Sequence, residues 1–405
     1  MPSAYCLIYP PVEVPGFLLG DLYAKMAYVD ELVVRVTPDP SGAMGFHLRR
    51  EPNAVEKESL IRKVQRATRL LVETTREPMI KIVEDYMDRP VCCRVDPMES
   101  LLARGEVVQT DAGLFSLGPL VASLCRFFEN RLFEVGLSQG AGMHRFPAMV
   151  PASFLEKIQY FKNFPHSLSF ASHLREDLEI VERFAAETVC RDGTIHPPEG
   201  ALSGIRQILA PTVCHHFYLF LANRTLPRDP VVATAQGHCF RYESINMHSL
   251  ERLWGFTMWE VIFVGSAPRV KESLTRAGTA LHALLAEWGL AYRLENATDP
   301  FFIREFGAQS GFQNIYDLKY EYRARLPFKE GTLAAGSRNY HQDFFGRHMG
   351  ITLPDGRFAH SGCIGFGLER LAFAFLAQHG TEFGQWPESV REGLNRSGFR
   401  IFSSL

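Results

Sequence analysis

The sequence predicts an α+β protein in two parts, a small strand-plus-helix unit over residues 1–95 and a larger unit over 96–405 that mixes β-rich runs with amphipathic helices. Three observations lead there. The chain has 405 residues, more than the ~100–200 of a usual single domain. Its texture changes after Asp111-Ala112-Gly113, from short punctuated runs to long periodic ones. It contains no internal repeat and no low-complexity tract, so neither a solenoid nor a disordered arm is expected.

Taken in order, residues 4–50 read as short strands: YCLIYPPVEV, MAYVDELVVRVTP, and GAMGFHLRR after the turn signal Pro38-Asp39-Pro40-Ser41-Gly42. Residues 55–87 are expected to be helical, with Leu60, Ile61, Val64, Leu70, Leu71 and Val72 among charges. The unit they form reads as a packing module or as a partner-binding domain. Pro119 is well placed in the first turn of a helix, PLVASLCRFFENRLFEVGL, whose Leu120, Leu124, Phe127, Phe128 and Leu132 share one face. HRFPAMVPAS is expected to be extended, with Pro147 and Pro151 at an edge or strand end. Ser153 then caps a helix over FLEKIQYFKNF. VVATAQGHCFRYES and FTMWEVIFVGS read as strands joined by SINMHSLERLWG, and VKESLTRAGTALHALLAEWG as the next helix. Residues 316–326 alternate as a strand, and GCIGFGLERLAFAFLAQHG runs from a glycine-spaced strand into an apolar helix.

Composition narrows the function classes. With 46% apolar and 22% charged residues, the chain can bury an ordinary globular core. A net charge of −2 provides no overall footprint for nucleic acid. The eight cysteines are too sparse for a disulfide framework, which suits a reducing cytoplasm. The opening MPSAYCLIYPPVEVPG lacks a basic segment and is broken by prolines, so no secretory signal is expected there. No run approaches ~18 uncharged apolar residues, so no membrane span is expected.

Two short patterns carry chemistry. In Phe240-Arg241-Tyr242-Glu243, expected on a strand, Arg241 can hold a phosphate or carboxylate through its planar fork, and Glu243 shares its face. Alone, Arg-x-Glu is ordinarily a solvated strand face. In Gly365-Phe366-Gly367-Leu368-Glu369-Arg370, the glycines let a flat group approach the backbone and Arg370 emerges at a helix start. Alone, that pattern is ordinarily a turn.

In this order and spacing the two patterns resemble motifs 2 and 3 of class II aminoacyl-tRNA synthetases. The stretch Pro119 to Pro151 looks like their motif 1, which builds the dimer interface of that family. The resemblance covers most of residues 100–405. It implies an antiparallel sheet flanked by helices, ATP and Mg2+ as cofactors, and a homodimer. It also implies that Arg241 binds the α-phosphate and the acyl-adenylate, and that Glu243 reads the adenine edge. Phe256 would stack on the adenine, Arg370 would cover its other side and reach the γ-phosphate, Gly365 and Gly367 would leave room for the nucleotide, and Glu321 would help place Mg2+–ATP.

Cys214, Glu260 and Cys363 are similar in placement to the zinc ligands of methanogenic-type seryl-tRNA synthetases and of their shortened relatives, the amino acid:[carrier protein] ligases. A lone cysteine is ordinarily a small buried hydrophobe. Two thiolates and one carboxylate would leave one position of Zn2+ open for a substrate amine. Cys239, His215, His216 and His238 compete nearby but do not match the family's positions. Asp299-Pro300-Phe301-Phe302, Lys319-Tyr320-Glu321 and Gly336-Ser337-Arg338-Asn339-Tyr340-His341-Gln342-Asp343 also look like segments of those ligases, with Ser337 and Asn339 as substrate contacts.

The resemblance implies activation of a small amino acid (glycine, alanine, serine or a non-standard one) and transfer to the phosphopantetheine thiol of a carrier protein. Full synthetases of the methanogenic type carry a larger N-terminal tRNA-binding domain, and tRNA needs several Lys and Arg phosphate contacts, so tRNA is not the expected acceptor. The carrier-protein ligases begin close to motif 1, which makes residues 1–95 an addition: a dock for a carrier protein or a remnant of the tRNA-binding domain. A seryl-type synthetase and a non-catalytic, regulatory paralogue are the alternatives.

Overall fold

The computed structural model describes residues 4–74, 80–244, 247–297 and 318–396. In the N-terminal unit, β1 (Ala4–Ile8), β2 (Val33–Pro38) and β3 (Met44–Leu48) form a sheet with β3 central. The helix Ala54–Thr74 buries Leu60, Val64 and Leu71, one helical stripe, in a common core with Phe46 and Leu48. A helix over Leu19–Met26 was not legible among the surrounding prolines. Its Leu22 and Met26 join that core.

Residues 80–87, expected to continue a helix, instead hold a strand, β4 (Ile82–Asp85). It pairs with a strand of the larger unit, so the division drawn near residue 95 falls behind a strand that belongs to the large sheet. The ladder partner overrides the weak helical pattern of this stretch.

The larger unit adds a hairpin, β5 (Val107–Asp111) with β6 (Leu114–Leu117), and an edge strand, β7 (Gly142–Arg145). A small sheet follows from β8 (Met149–Pro151), β9 (Phe170–Ala171) and β12 (Gln207–Leu209), with β10 (Val189–Arg191) and β11 (Thr194–His196) as a hairpin between. The remaining strands are β13 (Val231–Phe240), β14 (Gly255–Gly265), β15 (Tyr292–Asn296), β16 (Lys319–Leu326), β17 (Gly331–Gln342) and β18 (His360–Gly367). They build an eight-stranded sheet, β4-β15-β16-β17-β18-β14-β13-β7, antiparallel except where β7 lies parallel to β13. Tyr316 and Asp317, at the start of the strand expected over 316–326, lie outside the described residues, as does Asp299-Pro300-Phe301-Phe302.

One face of this sheet carries the main core. Trp259, Val261 and Phe263 of β14 and Ile364 and Phe366 of β18 are buried in one cluster with the helices Pro119–Ser138, Ala267–Glu287 and Leu368–His379. Each such burial contributes roughly 1.5–3 kcal/mol. Because side chains alternate along a strand, the intervening residues Phe256, Met258 and Glu260, and Cys363, Gly365 and Gly367, share the opposite face.

Two further expectations are corrected. Ser153 does not cap a helix: Pro151 occupies that position without a side-chain bond, and the helical run breaks at Gln159, φ 55, into Ala152–Lys157 and Tyr160–Asn163. The strand carrying Arg241-x-Glu243 ends earlier than expected, at the Phe240–Gly255 pair, so both residues lie just beyond the ladder. Among the described residues, no helix is long and apolar enough to cross a membrane.

Candidate active site

Cross-strand register assembles the site on the face opposite the main core. Glu321, Ser337, Gly365 and Glu260 stand in one continuous row across β16, β17, β18 and β14. Asn339 pairs with Cys363 in the neighbouring row. Glu321 is not on the strand immediately before β18, since β17 intervenes, but pairing returns it to the same row.

Cys214 opens the short helix Cys214–Phe220 against this face. Its thiol, a Glu260 carboxylate oxygen and the Cys363 thiol all lie within 4.8 Å of one another, and all three residues are buried. Thr212 Oγ1 donates to Glu260 Oε1 at 2.7 Å and lies 3.6 Å from Cys214 Sγ, while Glu260 Oε2 is buried without a partner. Asn339 Nδ2 donates to Ser337 Oγ at 3.0 Å and faces Cys363 Sγ at 3.7 Å. The two thiols share a hydrogen bond that raises Cys214 and lowers Cys363. Burial, reinforced by Cys363, pushes the Glu260 carboxyl up to about 8. A divalent cation answers this arrangement: it would satisfy the orphaned oxygen and neutralise the crowded acids. Two sulfurs and one oxygen suit zinc with one position left open. The competing Cys239 sits in a separate small cluster with Val213 and Ala235, and His215 and His216 pack among aromatic rings.

The second group lies beyond the end of β13. Arg241 Nε donates to the Pro211 carbonyl at 2.9 Å, and its guanidinium lies 5.5 Å from the Phe256 ring centroid. Glu243 meets Arg252 at 2.5 Å and Arg370 at 3.6 Å. Burial pushes the Glu243 carboxyl up, but Arg370, Arg252 and Arg241 outweigh it and hold it below the usual glutamate range. Three guanidiniums thus surround one carboxylate, leaving excess positive charge for an anion. Glu321 is paired with Arg323 at 2.9 Å and Lys319 at 3.5 Å.

With the geometry in view, likeness to known proteins decides the family. The Amino acid--[acyl-carrier-protein] ligase 1 of Bradyrhizobium diazoefficiens is 34% identical over 255 residues, 62% of this chain and 75% of the relative. The chain belongs to the amino acid:[carrier protein] ligase family. It is therefore an enzyme, a ligase. This ligase is also similar to the type-2 serine--tRNA ligase of Methanothermobacter thermautotrophicus, 26% identical over 338 residues, 81% of this chain and 66% of the relative. Its fold matches the M. kandleri SerRS solved with A. aeolicus tRNASec, at TM-score 0.71 and 22% identity, covering 97% of this chain and 77% of that one. The class II synthetase fold is thereby shown. No protein-family model matches the chain.

The two motif glycines of the ligase differ in what they leave room for. A Cβ at Gly365 would lie 2.9 Å from Glu260 Cγ and 3.2 Å from the Trp259 carbonyl, whereas one at Gly367 would meet nothing closer than Arg370 Cβ at 3.9 Å. Gly365→Ala is therefore expected to displace Glu260 and lower bound metal, measured by elemental analysis. Gly367→Ala should keep its metal; equal metal in both variants would contradict this division of labour.

Glu260 also sets a pH dependence for the metal-free ligase. Its folded pKa, about 8, lies above the ~4.3 of an unfolded glutamate, so the folded state holds a proton that the unfolded state releases. Stability from this group is full at low pH and is lost as pH rises toward about 8. The Tm of the metal-free protein should fall across that window, and Glu260→Gln should flatten the fall in calorimetry.

Several neighbours were not read from the sequence. Arg252 and Thr212 offer only ordinary polar residues in loops. His341, whose Nε2 is 4.0 Å from Cys363 Sγ and whose Nδ1 is 3.2 Å from the Tyr218 hydroxyl, is placed by the register of β17.

Proposed function

We propose that this ligase activates a small amino acid with ATP and passes it to the phosphopantetheine thiol of a carrier protein. The observation that carries the reading is the Cys214–Glu260–Cys363 cluster beside the guanidinium group around Glu243, the two linked through Arg241, whose guanidinium lies over Phe256 on the strand face that carries Glu260. One end suits a triphosphate and the other a metal-held amine. Zinc bound by Cys214, Glu260 and Cys363 would offer its open position to the neutral amine and so template the carboxylate. The carboxylate oxygen attacks the α-phosphorus, and pyrophosphate leaves. Arg241 holds the α-phosphate as charge develops, while Arg370 reaches the γ-phosphate. Glu243 reads the adenine edge, Phe256 stacks on the ring, and Gly367 leaves it room. Glu321 would help hold Mg2+ beside the phosphates. Ser337 and Asn339 line the amino-acid end. The carrier thiol then attacks the acyl carbon and AMP leaves, giving a thioester.

A homodimer formed through Pro119–Pro151 is part of the proposal, supported by the exposed Leu137, Met143 and Met149 on that stretch. The free thiols at all eight cysteines support a reducing cytoplasm as the place of work. A second reading, tRNA as acceptor, is favoured by one observation: the fold match at 97% coverage takes in the N-terminal unit as well.

The test is amino-acid-dependent ATP–pyrophosphate exchange over a broad panel, followed by charging of holo-carrier protein or tRNA. Exchange with one or two small amino acids and labelled carrier protein is expected. Labelled tRNA with an unlabelled carrier would select the second reading, and no exchange by zinc-loaded protein would overturn both.

A further inference from the structure

We propose that the N-terminal unit is a working part of the nucleotide site, with Tyr28 as the positioning residue that holds Arg241–Ser244 in place. This rests on the ATP-dependent reading above for the role of that segment. β13 leaves its ladder at Phe240, so the backbone that follows must find partners elsewhere. Arg241 N–H donates to the Trp254 carbonyl at 2.8 Å and Tyr242 N–H to the Ser167 carbonyl at 3.0 Å. Two further ties come from the N-terminal unit. The Tyr28 hydroxyl donates to the Tyr242 carbonyl at 2.9 Å, and the Ser244 hydroxyl donates to the Ala27 carbonyl at 3.1 Å.

Ala27 and Tyr28 directly follow the helix Leu19–Met26, which the buried Leu22 and Met26 root in the N-terminal core. The Tyr28 ring meets His166 edge-on at 5.4 Å, and Phe164 packs against that same core. The 164–167 connection is therefore held to the N-terminal unit on one side, and Ser167 passes the hold on to Tyr242. Ser244 has φ 56, a left-handed conformation that is strained for a non-glycine residue and persists only where its surroundings over-determine it. Here the surroundings do so, since Ser244 is buried and its hydroxyl is engaged. Glu243 sits between these two anchors, its carboxylate turned to Arg252 and Arg370. The clamp thus fixes the backbone on both sides of the group that reads the nucleotide.

The test uses the full chain with Tyr28→Phe, which removes the hydroxyl and keeps the ring. One hydrogen bond of 0.5–1.5 kcal/mol corresponds to about a two- to twelvefold change. The KM for ATP in pyrophosphate exchange should rise by about that factor, with the amino-acid KM and metal content unchanged. Arg50→Ala, which breaks an exposed ion pair with Glu56 in the same unit, should change neither KM. A wild-type ATP KM in Tyr28→Phe overturns the inference, as does an equal rise in Arg50→Ala. A wild-type protein that neither exchanges nor binds ATP in calorimetry would overturn the function reading itself, and the inference with it.

Discussion

Arg241→Ala should lower amino-acid-dependent ATP–pyrophosphate exchange by about 10²–10³-fold, the cost of removing one preorganised charge from a transition state. The side chain is pinned before any substrate arrives: its Nε is tied to the Pro211 carbonyl, and its guanidinium plane lies near Phe256. Alanine deletes the charge and the anchor together. Arg241→Lys retains a charge without the planar fork and should fall between alanine and wild type. Metal content should stay the same in both, because Arg241 is not among the clustered candidate ligands. Near-normal exchange by the alanine variant would sink the assignment of this segment to the phosphates.

Cys363→Ala should strip the metal site, weakening zinc by more than the ~10–100-fold typical of a neighbour that only supports a ligand. Two donors cannot close around the ion, and the Glu260 oxygen that lacks a partner would remain buried. Cys239→Ala is the control, since that thiol lies in its own apolar cluster with Val213 and Ala235. Elemental analysis after dialysis should find zinc in wild type and in the control but not in Cys363→Ala. Unchanged zinc in the Cys363 variant would remove the ligand set. Acids without an amino group should fail to support exchange, because the open position would have nothing to hold.

The sequence made the long periodic elements legible. The helix Pro119–Ser138 buries the residues its pattern marks, Leu120, Leu124, Phe127, Phe128 and Leu132, and β14 lies where its apolar run predicts it. Cys214, Glu260 and Cys363 were legible only through their places beside two motifs, since their spacing alone carries no metal signature. What stayed hidden was decided by partners far along the chain. β17 reads GTLAAGSRNYHQ, with small and polar residues and little contrast between faces, and only its neighbours β16 and β18 make it a strand. Arg252, Thr212 and Tyr28 are unremarkable in sequence and acquire roles from their contacts with Glu243, Glu260 and Tyr242 respectively.

The position of β4 bears on how this protein can be cut. The strand is joined to its only described ladder partner, β15, across two hundred residues of chain, and the stretch behind it stays attached. Arg89 donates to the Leu290 carbonyl, and the amides of Cys92 and Cys93 both donate to that of Gln378. A truncation placed at residue 95 would take this border away. It would leave the amides and carbonyls of Arg293–Glu295 bare to pair with another molecule, so the shortened chain should self-associate. A cut ahead of Ile80 keeps the border strand and should give a soluble, monodisperse remainder, the better starting material for asking what the first seventy-odd residues contribute.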